Sequence, residues 1–183
     1  MTDGPLIPSA TDVAHLDVIR ASVEALQRTA ISSYVEAGAI VLDVAPQEHA
    51  GVAALLPAGT RCETLDLDPA AGATYVADLC RRNEHVPGGR YDCIFCTEVL
   101  EHTLQPFHAV AELRRLLSPG GVLVLSVPFN FRIHGPLPDC WRFTEHGLRA
   151  LLVDFEIVTL DAVETPDRPL MPIHYTVVAR APA

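Results

Sequence analysis

Apolar positions change their spacing several times along this chain. Between residues 11 and 37, Leu16, Val18, Ile19, Val23, Leu26 and Ile31 recur at near-helical spacing. That spacing predicts a helix with Thr11 or Asp12 as its cap and Gly38 as its stop, after a loose lead-in over 1–10. AIVLDVA at 39–45 is a short run rich in β-branched residues and closed by Pro46. It predicts a strand buried on both faces. The alternation continues with a short helix over 47–57 and strands at 61–68, 74–79 and 91–97. A helix over 104–117 places Phe107, Val110, Leu113 and Leu117 on one face. After the Ser118-Pro119-Gly120-Gly121 turn signal come a strand at 121–128 and a helix at 144–152. Strands at 155–163 and 174–181 follow, separated by a proline-rich connection.

Strands alternating with helices imply crossover units, and therefore an α/β chain with a doubly wound, mostly parallel sheet. Ligands of such sheets bind beyond the carboxyl ends of the strands. Acids stand just past each of the first four strands: Asp43, Asp66 with Asp68, Asp78, and Glu98 with Glu101. A carboxylate is costly to bury without partners. A ribose offers two hydroxyl donors that one carboxylate accepts, and an acid after the second strand does this in dinucleotide folds. Asp66 holds that place, and Asp78, after the third strand, could accept from an adenine amino group. The plainer alternative is that these acids cap helices or face water. As an ordered set they favour a nucleoside.

Composition narrows the partners. The 183 residues fit one domain, and 49% apolar content suffices for a core. The formal charge is −10, with 13 basic residues that are all arginine. That balance argues against nucleic acid, which needs a basic footprint. No apolar run is long enough to span a bilayer, and the N-terminus lacks a secretory pattern, so a cytoplasmic protein without a membrane partner is expected. Cys93 and Cys96 form a C-x-x-C within a strand, where residues three apart point to opposite faces. No second ligand pair accompanies them, so they are read as core residues and no metal is expected. The first turn also lacks G-x-G-x-x-G, which argues against a nicotinamide dehydrogenase.

VLDVAP, LDLDP, ADL, YDCIFCTEVLEH and LLSPGGVLVLSVP, in that order, resemble the class I methyltransferases that use S-adenosylmethionine. The match is strongest to the branch with V-L-E-H after strand four, and runs from about residue 38 to 128, more weakly to the end. The resemblance implies a seven-stranded sheet whose last strand runs antiparallel beside the sixth. It also implies S-adenosylmethionine as cofactor and S-adenosylhomocysteine as product. By the same resemblance, Asp43 and Ala45 line the methionine end and Asp66 holds the ribose. Leu67 lies against the adenine, Asp78 and Leu79 contact the base, and Thr97 approaches the methionine portion. Residues 1–37 would cover this site and 38–183 would form the methyltransferase domain. One departure is the first turn, where Ala45, Gln47 and His49 stand where glycines are common. Ala45 can serve there if its φ is negative.

The acceptor side needs a group aligned with the methyl, and a base if the acceptor is protonated. His102 ends EVLEH, at the mouth of the sheet. The 128–143 segment is long for a plain connection and carries Asn130, Arg132, His134, Asp139, Trp141, Arg142 and Phe143. His134, with Asp139 to orient it, and the rival His102 are the candidate catalytic residues. Asn130, Arg132, Trp141 and Arg142 are candidate substrate contacts. The bland reading is a packed loop anchored by Trp141 and Phe143. Tyr34 could close over the cofactor, though a plain core helix is the better reading there. The expected acceptor is a small molecule, methylated on oxygen, nitrogen or carbon, of the kind met in specialised metabolism. Its pocket would be completed by the N-terminal segment or by the second subunit of a homodimer. The competing class is a protein of this fold that no longer methylates: a structural partner, or a cofactor binder with another reaction. The glycine-poor first turn favours that class; Asp66, Asp78 and EVLEH favour the enzyme.

Overall fold

Helix α1 (Ala10–Tyr34) is capped by Ser9, two residues before Thr11 and three before Asp12, and ends at Tyr34, ahead of Gly38. Ser9 Oγ accepts the Asp12 N–H at 3.1 Å, and the Asp12 carboxylate accepts the Ser9 N–H at 2.8 Å. Asp12 is thus the reciprocal partner in a capping box and not the cap. The computed structural model describes residues 7–46 and 51–183. Among the described residues no helix is long and apolar enough to cross a membrane.

The strands are β1 (Ile40–Val44), β2 (Arg61–Asp66), β3 (Tyr75–Val76), β4 (Tyr91–Thr97), β5 (Leu117–Pro128), β6 (Glu156–Thr165) and β7 (Arg168–Arg180). They form one sheet in the order β3-β2-β1-β4-β5-β7-β6. β1 to β5 pair in parallel, and β7 runs antiparallel to both β5 and β6. This is the expected seven-stranded sheet with an antiparallel last strand. Strand order reverses at β1 and β4, so the crevice beyond their carboxyl ends is the place where such a sheet binds ligands.

Alternation along each strand divides the core between two faces. Leu42, Ile94, Cys96, Leu123 and Leu125 pack with Leu113 and Leu116 of α2 (Pro106–Leu116) and Leu148 of α3 (Glu145–Leu151). Val41, Cys93, Phe95, Val122 and Val124 pack with Ala30 and Ile31 of α1. Cys93 and Cys96 therefore lie on opposite faces, both fully buried, and burial pushes both thiols far up.

Four expected elements differ, the first being the Ser118–Gly121 turn, which lies inside β5 because that strand starts at Leu117. The helix foreseen over 47–57 is a single 3-10 turn at Ala53–Leu55, with residues 47–50 outside the described part. β3 is two residues long because the chain turns at Asp78, whose Oδ1 accepts the Cys80 N–H and whose carbonyl accepts from Asn83. The proline-rich connection before residue 174 is strand: β6 and β7 continue into a tight hairpin at Asp167, φ +59°. Pro172 is accommodated there because the register shifts around Glu164, and prolines sit in sheets at edges and bulges. On the other side of the molecule Glu63 of β2 is buried, held by Arg90 and by the Tyr91 hydroxyl at 2.8 Å. The Arg90 guanidinium holds its carboxyl down at about 2.

Candidate active site

A cavity of about 510 Å³ opens beyond the carboxyl ends of β1 and β4. One wall is the first half of α1, with Leu16, Ile19, Arg20 and Val23. The floor is Asp43, Val44, Ala45, Gly51, Thr97 and Glu98. The far wall is His102, Phe131 and His134. Helix α1 of the same chain thus supplies the wall that a second subunit would otherwise provide. Tyr34 lies at the other end of α1, with the Arg180 guanidinium 5.8 Å from its ring centre.

Asp43 is buried at the end of β1, and its Oδ2 accepts the Val52 N–H at 2.9 Å. Burial raises its carboxyl to about 6, against the pull of that hydrogen bond. Ala45 has φ +50°, so the condition under which an alanine serves there without strain, a negative φ, is not met. The Ala45 N–H donates to the Leu65 carbonyl at 2.8 Å, carrying the β1–β2 ladder past the strand end, and the chain leaves the ladder at Ala45 in the left-handed conformation. For a non-glycine residue this costs roughly 1–2 kcal/mol. The close approach usually made by an early glycine is made here by Gly51, at φ +54°. A Cβ on Gly51 would sit 2.1 Å from Asp43 Oδ2 and 2.7 Å from Pro46 Cβ. Gly51 lies beyond the strand and lacks a motif, which is why the sequence reading passed over it. Gln47 and His49 lie outside the described residues.

Asp66 and Asp78 are half-buried at the ends of β2 and β3. Asp66 Oδ1 accepts the Asp68 N–H at 2.8 Å, a local turn that fixes the carboxylate. Leu67 beside it is 68% exposed, an apolar surface next to an acid. Leu79, by contrast, is packed in the core, so its side chain is not offered to a base. Asp43, Ala45 and Thr97 line the cavity; Asp66, Leu67 and Asp78 lie outside its lining, along the neighbouring strand ends.

Glu98 is another cavity residue that the sequence reading left without a role. It has φ +56° and its Oε1 accepts from Ser126 Oγ at 2.9 Å and from His174 Nε2 at 2.6 Å. His174 is fully buried, and its Nδ1 meets Ser22 Oγ of α1 at 3.1 Å. A polar chain therefore runs from α1 through β7 to the cavity floor. The first Glu of EVLEH marked the place, but its partner lies 76 residues away.

The acceptor side gathers Glu101, His102, His134 and Asp139. The His102 and His134 rings meet edge-to-face, with centres 4.9 Å apart. His134 Nδ1 is 3.1 Å from Asp139 Oδ2, which also accepts the His134 N–H at 3.0 Å. Burial pushes the His134 imidazole below its ordinary value, against the pull of Asp139. Burial alone would raise Asp139; the Arg142 hydrogen bonds and the His134 N–H outweigh it and hold it at about 2. Glu101 is fully buried, and burial pushes its carboxyl well above the usual carboxylate range.

The four candidate substrate contacts are absent from the cavity lining and brace the loop. Arg142 binds Asp139 through two nitrogens, at 2.5 and 2.7 Å, and donates to the Phe131, Arg132 and Trp141 carbonyls. Trp141 Nε1 donates to the Thr103 carbonyl at 2.7 Å while its ring stacks on buried Phe143. Asn130 Nδ2 donates to Thr165 Oγ1, and Arg132 reaches Asp12 of α1 at 3.8 Å. The loop residues that face the cavity are instead Phe131, His134, Gly135 and Pro136.

Solved structures with this fold come from several functional classes. The [4+2]-cyclase SpnF superposes with a TM-score of 0.69 at 14% identity, over 90% of this chain and 82% of that one. The 1,6-didemethyltoxoflavin-N1-methyltransferase of Burkholderia thailandensis, with bound 1,6-didemethyltoxoflavin and S-adenosylhomocysteine, gives 0.63 at 21% identity, over 100% and 94%. The N-methyltransferase NodS of Bradyrhizobium japonicum, in complex with S-adenosylhomocysteine, gives 0.64 at 17% identity, over 90% and 87%. No curated protein sequence matches this chain. At these identities the superpositions establish the fold. The family model described as a methyltransferase domain matches residues 18–158, most of the chain, and includes β1 to β5 and the whole acceptor loop. On that match the protein belongs to the S-adenosylmethionine-dependent methyltransferase family.

Proposed function

We propose that this methyltransferase moves the methyl group of S-adenosylmethionine to an oxygen, nitrogen or carbon atom of a small-molecule acceptor held between α1 and the 129–143 segment. One observation carries the reading: a single cavity brings Asp43, Ala45, Gly51 and Thr97 together with His102 and His134. Bound S-adenosylmethionine supplies an electrophilic methyl on a sulfonium sulfur. The chain's residues fit that cofactor. The turn around Gly51 allows a close backbone approach and has no room for a side chain there. Asp43, Ala45 and Thr97 would take the methionine portion, Asp66 the ribose hydroxyls, Leu67 and Asp78 the base. Leu79 would shape that end from within the core. A cavity of about 510 Å³ suits a small acceptor and is within the usual range of ligand pockets.

In the metal-free protein His134 is the better placed base. Its Nδ1–H is held by the Arg132 carbonyl with the Asp139 carboxylate beside it, which leaves the Nε2 lone pair towards the cavity, and burial keeps the ring neutral near pH 7. Asp139 positions the ring, and Arg142 holds Asp139. His102, with Nδ1 on the Pro138 carbonyl at 3.0 Å, is the rival. The strained Ala45 favours a second reading, in which the cofactor site serves a reaction other than methylation.

The test separates binding from turnover. His102→Ala, His134→Ala and Asp139→Asn variants are titrated with S-adenosylhomocysteine and then assayed for formation of that product from S-adenosylmethionine with acceptor mixtures. The expected result is near-normal cofactor affinity, with turnover lost in His134→Ala or Asp139→Asn. Normal turnover in both would leave the loop a structural element and give the reaction to His102 or to proximity alone.

A further inference from the structure

A buried carboxyl and two imidazole nitrogens converge at the acceptor end of the cavity with no hydrogen bond between them. Glu101 is fully buried, and among the described residues neither carboxylate oxygen has a hydrogen-bond partner. His102 Nδ1 stands 3.0 Å from the Pro138 carbonyl, which can only accept, so that nitrogen carries the proton. His134 Nδ1 is bonded to the Arg132 carbonyl at 3.4 Å, with the Asp139 carboxylate 3.1 Å away, and carries its proton for the same reason. In each neutral ring the lone pair is then at Nε2. The two Nε2 atoms lie 3.7 and 3.9 Å from Glu101 Oε1. Those distances are too long for hydrogen bonds, which for N–H to oxygen lie at about 2.7–3.2 Å. Arg142 is directed to Asp139 and to loop carbonyls, so it leaves the Glu101 oxygens without a donor.

A cation resolves the arrangement. Nitrogen and oxygen ligands at about 2.0–2.1 Å from one tetrahedral ion stand about 3.4 Å apart. One ligand atom from each of Glu101, His102 and His134 lies within 4.8 Å of the others, so side-chain shifts of a few tenths of an ångström up to about 1 Å close the shell. The supporting contacts match those of metal-bound histidines, whose second nitrogen donates to a carbonyl or carboxylate. The Pro138 carbonyl is that acceptor for His102, and the Arg132 carbonyl, with the Asp139 carboxylate beside it, for His134; Arg142 anchors Asp139. Two imidazoles with one carboxylate select first-row divalent ions such as zinc, manganese or cobalt over magnesium, which prefers an all-oxygen shell. His102 and His134 line the cavity and Glu101 lies behind them, so the open side of the shell faces the acceptor.

We propose that Glu101, His102 and His134 form a site for one divalent first-row cation, with its open position directed at an oxygen of the acceptor. This rests on the acceptor cavity proposed above and gives the His134 Nε2 lone pair to the ion when it is bound. The cysteine pair on β4 has no part in it.

The experiment uses tag-free, EDTA-treated full-length protein titrated with cobalt(II) and zinc(II) by calorimetry, with the visible cobalt spectrum recorded. S-adenosylhomocysteine binding is measured on the same samples. The expected result is one ion per chain with a ligand-field spectrum, and loss of both in His102→Ala and Glu101→Gln. Asp139→Asn should weaken binding about 10–100-fold. Intact S-adenosylhomocysteine binding shows that each variant is folded. No stoichiometric ion in the wild-type protein, or an unchanged spectrum in His102→Ala, overturns the site. Loss of S-adenosylhomocysteine binding in the wild-type protein would instead count against the proposed function.

Discussion

Asp43 concentrates the electrostatics of the cavity floor. Its carboxyl is raised to about 6 because burial removes water, and the Val52 N–H offsets only part of that loss. Without cofactor, Asp43 is therefore mostly protonated below pH 6 and mostly charged above it. A cationic cofactor favours the charged form, so binding lowers this pKa and releases a proton in that range. Affinity for S-adenosylhomocysteine, whose amine is cationic, should be level near pH 7. It should then fall as pH drops through 6, by up to about tenfold per pH unit. Calorimetry between pH 5 and 7 measures this, and Asp43→Asn should flatten the profile. A flat wild-type profile would remove Asp43 from the cationic end. The acid itself was legible in the sequence, since a carboxylate ending an apolar strand is conspicuous. The φ of Ala45 and the fit of Gly51 were not. Both depend on where the backbone of β2 and the side chain of Asp43 come to lie.

Among the elements, the 129–143 segment departs most from its reading. Its polar and aromatic residues invited substrate roles, yet most of them hold the segment to itself and to the EVLEH turn. The Cys140 and Trp141 N–H groups both donate to the Glu101 carbonyl, at 2.7 and 3.2 Å. Sequence spacing shows that such groups are near one another but not which of them face inward. The same limit hid the β6–β7 hairpin, because its prolines imitate a loop until the bulges that accommodate them are seen. The Asp139–Arg142 pair is central to this element. The Asp139 side chain is fully buried and the Arg142 side chain is 23% exposed. Arg142→Met removes the partner and leaves a buried charge, which should cost about 3 kcal/mol. Urea unfolding checks this, and Arg142→Lys should recover only part because it lacks the two-pronged geometry. A loss below about 1 kcal/mol would show that the loop does not depend on the pair.

At the scale of the molecule, sequence periodicity carried most of the architecture. Buried runs such as IVLDV and VLVLSV read as interior strands, and helical spacing before and between them marked α1 and α2, which the structure packs on opposite faces. The crossovers from β1 to β2 and from β2 to β3 were less legible. Among the described residues they contain only short 3-10 turns, whose few residues carry no period. The consequence of the topology is that the reversal between β1 and β4 creates a crevice, and α1 returns over it to make a cavity. The account's central claim is that this cavity and the neighbouring strand ends bind the cofactor of a methyltransferase. Titration of the full-length protein with S-adenosylhomocysteine tests it most directly. The account predicts one site per chain in the micromolar range, weakened by about 1–3 kcal/mol in Asp66→Ala, whose carboxylate would accept the ribose hydroxyls. No saturable binding by the folded wild-type protein would contradict it.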